Sequence, residues 1–365
     1  MNKRVLILVN HDLVIYNFRK ELVQKLIEEG YEVYVSSPKG NRIEELITMG
    51  CRFIEVENIN RHGKNPFTEL KLLKEYKKLM RQIKPRCVLT YTIKPNIFGA
   101  LATQKYNISC LSNITGLGTA VEKKGILQLI TTNLYKGAFK KIDTVFFQNT
   151  ENMNFFIKKN ISNKNNYVLL PGSGVNLSEF QLMEYPKDDK IKFVFISRIM
   201  KEKGIDLYLE AAEKLTKKYE NLEFHICGFC EENYEEKLAN YEEKEIIVYH
   251  GMVNDVKEII KECHCTVHPT YYPEGLSNVL LESSACGRPV ITTNRSGCRE
   301  VVNQEKNGYL VKENDVVSLI KQLEKFIKLP YEEKRTQGIE GRKFVEKKFD
   351  RNIVVSEYLR RINNL

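Results

Sequence analysis

Two glutamates, Glu274 and Glu282, bracket the run Gly275-Leu276-Ser277-Asn278-Val279-Leu280-Leu281. A Tyr271-Tyr272-Pro273 turn precedes them, and the apolar spacing predicts a helix over residues 276–286. Glu274 then lies on the loop entering the helix, and Glu282 about two turns in, on a similar face. The backbone N–H groups of Leu276, Ser277 and Asn278 become the unpaired donors of a helix start, which attract phosphate or carboxylate. An anion cradle with two acceptors for hydroxyls meets the demands of a nucleotide-sugar. A dipole partner and a solvated glutamate would give the same spacing, so the neighbouring segments decide.

Upstream, Ser197-Arg198-Ile199-Met200-Lys201-Glu202-Lys203-Gly204 follows a strand-like run. Arg198 offers a planar fork and Lys203 a point charge, and both suit a diphosphate. A diphosphate that leaves needs its charge neutralised as the bond breaks, which two fixed cations accomplish. Gly228, after a strand-like run, and Met252 with Val253, after another, are expected to line a flat slot for a base. In the first half, His11 and Arg19 follow the first strand, Lys94 and Asn96 the fourth, and Gly116 and Gly118 the fifth. His11 is a candidate base; Arg19 and Lys94 are candidates to hold an acceptor phosphate. Cys263, His264, Cys265 and His268 lie in a strand pattern with alternating directions, and no second pair has structural-zinc spacing. No Asp-x-Asp occurs, so chemistry without a metal is expected.

These residues must be positioned by an α/β frame. Strand-like runs at residues 4–9, 31–36, 52–56 and 87–90 alternate with helical patterns at 15–29, 43–49, 67–83 and 97–106. The alternation restarts with strands at 192–196, 223–227, 246–250, 265–268 and 289–292. Continuous apolar strands separated by amphipathic helices predict parallel sheets covered on both faces. Two doubly wound units are expected: residues 1–172, with the helix at 352–365 packing back on them, and residues 173–351. Two such units facing one another would place a ligand cleft at the carboxyl ends of their strands.

The 365 residues are 42% apolar and 28% charged, as in a soluble globular protein. The N-terminus runs straight into a strand pattern with no h-region, so no signal peptide is read. Nine scattered cysteines predict a reducing compartment rather than a disulfide framework. Residues 1–170 carry 27 Lys and Arg against 14 Asp and Glu; the remainder carries 30 against 33. A basic half joined to a nearly neutral one points to an anionic partner: nucleic acid, a membrane surface or a diphosphate lipid. The helix at 67–83, with Lys71, Lys74, Lys77, Lys78 and Arg81 on its outer face, could rest on anionic headgroups, although a solvated face has the same composition.

Arg198 through Gly204, Pro273 through Glu282, and Ala285-Cys286-Gly287-Arg288-Pro289-Val290 together resemble the retaining glycosyltransferases of family 4, which have the two-domain GT-B fold. Ile15 through Arg19, Asn65-Pro66-Phe67, Lys94-Pro95-Asn96 and Ile114 through Gly118 resemble the bacterial transferases of O-antigen, capsule and N-glycan assembly. The resemblance implies that Arg198 and Lys203 bind the donor diphosphate and Glu282 the ribose. It implies that Glu274 steadies charge at the donor sugar and that the N–H groups from Leu276 to Asn278 help hold phosphate. Many members carry a histidine after the fourth strand of the first unit; this chain has Thr92, Ile93 and Lys94 there. A front-face retaining mechanism tolerates that difference, because the leaving phosphate takes the acceptor proton.

The expected protein is a metal-independent, retaining hexosyltransferase. It would sit on the cytoplasmic face of the plasma membrane against an anionic surface. It would move an N-acetylhexosamine or hexose from a UDP-sugar to a polyprenyl-diphosphate-linked saccharide. Two alternatives stay open at this point: a UDP-N-acetylglucosamine 2-epimerase of the same fold, and a basic nucleic-acid-binding protein. The second is disfavoured because the basic helix lacks interleaved aromatics for base stacking.

Overall fold

The computed structural model describes residues 2–57, 66–118, 121, 125–187 and 189–365. The chain divides into two compact units, Met1–Gly174 with Arg351–Leu365, and Val175–Asp350.

In the first unit the strands are β1 (Arg4–Leu8), β2 (Glu32–Ser37), β3 (Arg52–Glu55), β4 (Cys87–Tyr91), β5 (Ser109–Ile114), β6 (Thr144–Phe147) and β7 (Tyr167–Leu169). They form a seven-stranded sheet of order β3-β2-β1-β4-β5-β6-β7, parallel throughout. The reason lies in the side chains. Val5, Leu6, Ile7 and Leu8 are all fully buried, the signature of a strand covered on both faces. Alternate residues feed different cores. Val5 and Ile7 pack with Leu22, Val23 and Leu26, whereas Leu6 and Leu8 pack with Leu72, Tyr76 and Met80.

The helices of this unit are α1 (Asp12–Phe18), α2 (Lys20–Glu28), α3 (Ile43–Thr48), α4 (Pro66–Ile83), α5 (Ala100–Tyr106), α6 (Ile126–Ala138), α7 (Thr150–Lys158) and the last helix of the chain, Arg351–Asn363. A π-helix, Pro95–Gly99, leads into α5. The helix expected over 15–29 is two helices, broken at Arg19, whose φ of −140° leaves the helical region. Leu70 of α4 is exposed; the inward face is Leu72, Tyr76, Leu79, Met80 and Ile83. The last helix packs on α2, and its Val354, Tyr358 and Ile362 join the core of Val5 and Ile7.

The second unit holds β8 (Ile191–Ile196), β9 (Leu222–Cys227), β10 (Val248–Tyr249), β11 (Cys265–His268), β12 (Val290–Thr293) and β13 (Gly308–Val311) in the order β10-β9-β8-β11-β12-β13, again all parallel. Its helices are α8 (Ile205–Thr216), α9 (Glu235–Glu243), α10 (Val256–Glu262), α11 (Asn278–Ala285), α12 (Val316–Ile327) and α13 (Tyr331–Lys348). The Arg361-bearing final helix of the first unit is α14 (Arg351–Asn363). β8 sits between β9 and β11, so the loops leaving β8 and β11 are neighbours at the carboxyl edge, where an open α/β sheet binds ligands.

Candidate functional site

The loop after β8 ends in a single 3-10 turn, Lys201–Lys203, and Gly204. Gly204 has φ +84°, and a Cβ there would lie 2.3 Å from the Pro269 carbonyl oxygen. Only glycine lets this loop press against the one leaving β11. That approach delivers Lys203 to Glu274, whose carboxylate it pairs with through Oε1. Both side chains are nearly buried. His268, the last residue of β11, places Nε2 3.4 Å from the same oxygen. Burial alone would raise the Glu274 carboxyl, but the Lys203 ammonium and the His268 imidazole outweigh it and hold the group well below the usual carboxylate range. Glu274 is therefore an anion at any working pH.

Arg198 pairs with Glu231. Its guanidinium lies 5.5 Å from the Tyr272 ring centroid, and the Lys203 ammonium lies 5.0 Å from the same ring. Two cations against one aromatic ring, each held by a carboxylate, form a fixed positive pole. The structure thus brings together Arg198, Lys203 and Glu274. It adds Tyr272, Glu231 and His268, which the sequence reading did not select. Tyr272 was visible in the Tyr-Tyr-Pro turn, and His268 was weighed only as a zinc ligand. Among the described residues no cluster of His, Cys, Asp and Glu could hold a metal ion.

The helix start differs from the expectation. The helix α11 begins at Asn278 with Ser277 as N-cap, so Glu282 lies little more than one turn in. The Ser277 N–H is not unpaired: it donates to the Gly297 carbonyl at 2.7 Å. The loop after β12 folds under this turn, and Glu300 braces it by accepting from the Gly297 N–H at 2.8 Å. Leu276 is buried in the core beside Leu280 and Leu281, and Glu282 is half-buried. Arg288 of the Gly287-Arg288-Pro289 segment is wholly buried, and its guanidinium donates to the carbonyls of Ile260, Cys286, Glu184 and Lys261 at 2.8–3.0 Å. Its part is to tie the backbone around α11.

Gly228 has φ +142°, and a Cβ there would fall 1.7 Å from the Ser197 carbonyl oxygen. Its N–H donates to the Gly251 carbonyl, and its carbonyl accepts from the Tyr249 hydroxyl, both at 2.8 Å. This joins the two loops expected to form a base slot, and Gly228 uses its own N–H and carbonyl to do so. Met252 is exposed, and Val253 packs partly against Val194, Cys227 and Cys263.

In the first unit the expected acceptor residues separate. His11 caps α1, its Nδ1 accepting from the Leu13 N–H at 3.3 Å, and it stays exposed. Arg19 is buried, not open to a phosphate: its guanidinium lies 5.2 Å from the Tyr91 ring and 5.9 Å from the Tyr358 ring of α14. The returning helix covers it. Asn96 is likewise buried, accepting from the Thr90 hydroxyl at 2.7 Å and donating to the Asn113 carbonyl at 2.9 Å. It clamps β4 to β5 rather than facing a ligand. Lys94, partly exposed, pairs with Glu69 of α4 at 2.7 Å. Gly116 and Gly118 follow β5 with φ +143° and +65°. Thr92 has φ +69°, an uncommon conformation for a β-branched residue and a mark of stored strain at this edge. Asn65 of the Asn65-Pro66-Phe67 motif lies outside the described residues.

Comparison with known proteins places the chain. The family described as glycosyl transferases group 1 matches residues 179–344, and glycosyl transferase 4-like matches residues 4–149. A Campylobacter jejuni relative, N,N'-diacetylbacillosaminyl-diphospho-undecaprenol alpha-1,3-N-acetylgalactosaminyltransferase, is 25% identical, with 95% of this chain and 94% of the relative covered. The Escherichia coli UDP-Gal:alpha-D-GlcNAc-diphosphoundecaprenol alpha-1,3-galactosyltransferase is 25% identical, with 70% of each covered. Anabaena HepE, solved with UDP and glucose, superposes with a TM-score of 0.80 over the whole of both chains at 13% identity, a likeness of fold. The chain belongs to the group 1, family 4-like glycosyltransferases, a hexosyltransferase of GT-B fold.

Proposed function

We propose that the protein transfers a hexose or N-acetylhexosamine, with retention, from a UDP-sugar to a saccharide carried on a polyprenyl diphosphate in bacterial surface-glycan assembly. The observation that carries this reading is the pole formed by Arg198, Lys203 and Tyr272 beside Glu274 at the carboxyl edge of β8 and β11. The two relatives named above act, by their names, on diphospho-undecaprenol-linked sugars, one of them with UDP-galactose.

In this reading Arg198 and Lys203 take the donor diphosphate, exchanging part of their contact with Glu231 and Glu274 for phosphate oxygen. Glu282 takes the ribose hydroxyls. As the bond from the sugar C1 to the phosphate oxygen breaks, negative charge grows on the diphosphate and is neutralised by the two cations. The Glu274 carboxylate steadies the opposite charge growing on the sugar ring. The acceptor hydroxyl bonds to C1 on the same face, and its proton passes to the departing phosphate oxygen, so no protein base is required. The neutralising charge is supplied by Arg198 and Lys203, without a metal. The acceptor is held by the first unit, with Lys94 and the Gly116–Gly118 loop nearest the carboxyl edge. The enzyme works at the cytoplasmic face of the plasma membrane.

The test is a thermal-shift series with UDP, GDP, ADP and UDP-sugars, with and without EDTA. A ligand at one hundred times its Kd stabilises by about 2.7 kcal/mol, a rise of roughly 5–11 °C for a unit of this size. UDP alone should produce it, unchanged by EDTA, and the effective UDP-sugar should then support transfer to a polyprenyl-diphosphate saccharide. No rise with any nucleotide sinks the proposal.

A further inference from the structure

Helix α6 is built inside out. Its buried positions are Thr131, Thr132, Tyr135 and Ala138. Its aliphatic residues face water instead: Ile126 is 79% exposed, Leu129 62%, Ile130 51%, Leu134 42% and Leu127 41%. At 100° per residue these five fall on one side of the helix and the buried four on the other. A soluble surface helix has the reverse arrangement, and a contiguous aliphatic ridge of this kind marks an interaction site.

The surroundings indicate the partner. Not one acidic residue occurs from 123 to 142, while Lys136, Lys140 and Lys141 follow the ridge, all three exposed. Both α6 and α4 pack against the element formed by the π-helix and α5, and both start at the carboxyl edge of the sheet. On α4 the exposed residues Phe67, Leu70, Lys71, Lys74 and Lys78 lie at a spacing of three to four, a second outward stripe that begins apolar and becomes cationic. The Lys94–Glu69 pair ties the first turns of α4 to the π-helix. Aliphatic tips surrounded by lysines suit the boundary between headgroups and acyl chains of an anionic bilayer. A protein partner of matching chemistry would need acidic groups ringing an apolar groove; a second copy of this chain offers the same lysines and would repel. Among the described residues no helix is long and apolar enough to cross a membrane, so the contact would be made from one side.

We infer that the outward ridge of α6, with the exposed start and cationic stripe of α4, is a membrane-docking surface for anionic lipid. It deepens the proposal above, resting on it for the acceptor, and it names the residues that insert. Docking here would bring the carboxyl edge of the first unit to the bilayer, where a lipid-linked diphosphate is presented.

The experiment is flotation of the full chain with vesicles of phosphatidylcholine alone or with 30% phosphatidylglycerol (a chosen composition of roughly one-third anionic lipid). The wild type is compared with Ile126→Ser/Leu129→Ser/Ile130→Ser and with Lys71→Glu/Lys74→Glu. The wild type should bind the anionic vesicles. The serine triple variant should bind at least about tenfold more weakly, and the glutamate variant should lose the preference for phosphatidylglycerol. Light scattering and a UDP thermal shift are recorded on the same samples. Vesicle binding retained by the triple variant, or absent in the wild type, overturns the inference. A wild-type dimer that the triple variant converts to monomer overturns it too, assigning the ridge to self-association. A missing UDP shift with intact vesicle binding would instead count against the donor reading and leave the docking surface standing.

Discussion

The pair Lys203–Glu274 can be dissected because it is both buried and charged. In Lys203→Met the stem volume is retained but the ammonium is lost, leaving the Glu274 carboxylate with His268 Nε2 at 3.4 Å. Breaking one partner of a buried pair costs about 3–5 kcal/mol. For a unit of this size each kcal/mol moves Tm by roughly 2–4 °C, so a fall of roughly 6–20 °C is expected at neutral pH. The sign with pH follows from the cause. In the wild type the Glu274 carboxyl is lowered by Lys203 and His268 against its burial. Its stabilising contribution is present above the unfolded carboxyl value and is lost as pH falls through the lowered folded value. Without Lys203, burial prevails and the folded value rises, so the variant's deficit is largest at high pH and shrinks toward pH 5. The double variant Lys203→Met/Glu274→Gln removes both charges and should recover much of the lost Tm. Transfer should not recover: each single variant and the double should lose at least about a hundredfold, the scale of a missing transition-state charge partner. Differential scanning calorimetry from pH 5 to 8, with a radiolabelled transfer assay, reads both. Additive Tm losses, or a deficit independent of pH, would refute the buried-pair argument; recovered transfer in the double variant would refute the catalytic one.

Arg198→Ala removes one cation from the face of Tyr272, and calorimetric titration should show UDP binding weakened on the order of tenfold or more. Gly228→Ala meets a carbonyl oxygen 1.7 Å from its new Cβ; chemical denaturation should show a loss above about 2 kcal/mol. Asn96→Ala removes the amide donor to the Asn113 carbonyl and one of the two partners of the Thr90 hydroxyl, which keeps Ser112, and unfolding should register about 1–3 kcal/mol, with UDP affinity unchanged because the residue belongs to the other unit.

How much of this could be read from the chain alone depends on the range over which each feature is specified. The alternation of strands and helices is set within a dozen residues, by apolar runs such as Val5–Val9 buried on both faces, and it was legible. The site in the second unit was legible for the same reason: Arg198 and Lys203 leave one strand, Glu274 leaves its neighbour, and strand adjacency follows from a doubly wound sheet. What failed depended on contacts distant in sequence. The Ser277 N–H looked available because its partner, the Gly297 carbonyl, lies twenty positions on. Arg19 looked like an acceptor ligand because Tyr358, more than three hundred residues later, supplies one of the rings over it.

The outward ridge of α6 is legible only from the fold, and it bears on function. Apolar periodicity says that one side of a helix is distinct; it does not say which side the fold covers. In α6 the choice is made by Tyr135, packed edge-on to Phe139 and Phe156 at 5.2 and 5.3 Å between centroids. That aromatic cluster fixes the rotation of the helix, so Thr131 and Thr132 turn inward and Ile126, Leu129 and Ile130 turn outward. Exposing those side chains to water is unfavourable by itself, by roughly 25 cal/mol for each Å² of apolar area. A fold that accepts that cost on one helix, beside a lysine stripe and at the edge where its acceptor would arrive, is using the ridge for contact with something else. A bilayer carrying the proposed polyprenyl acceptor would satisfy the aliphatic residues and the lysines together.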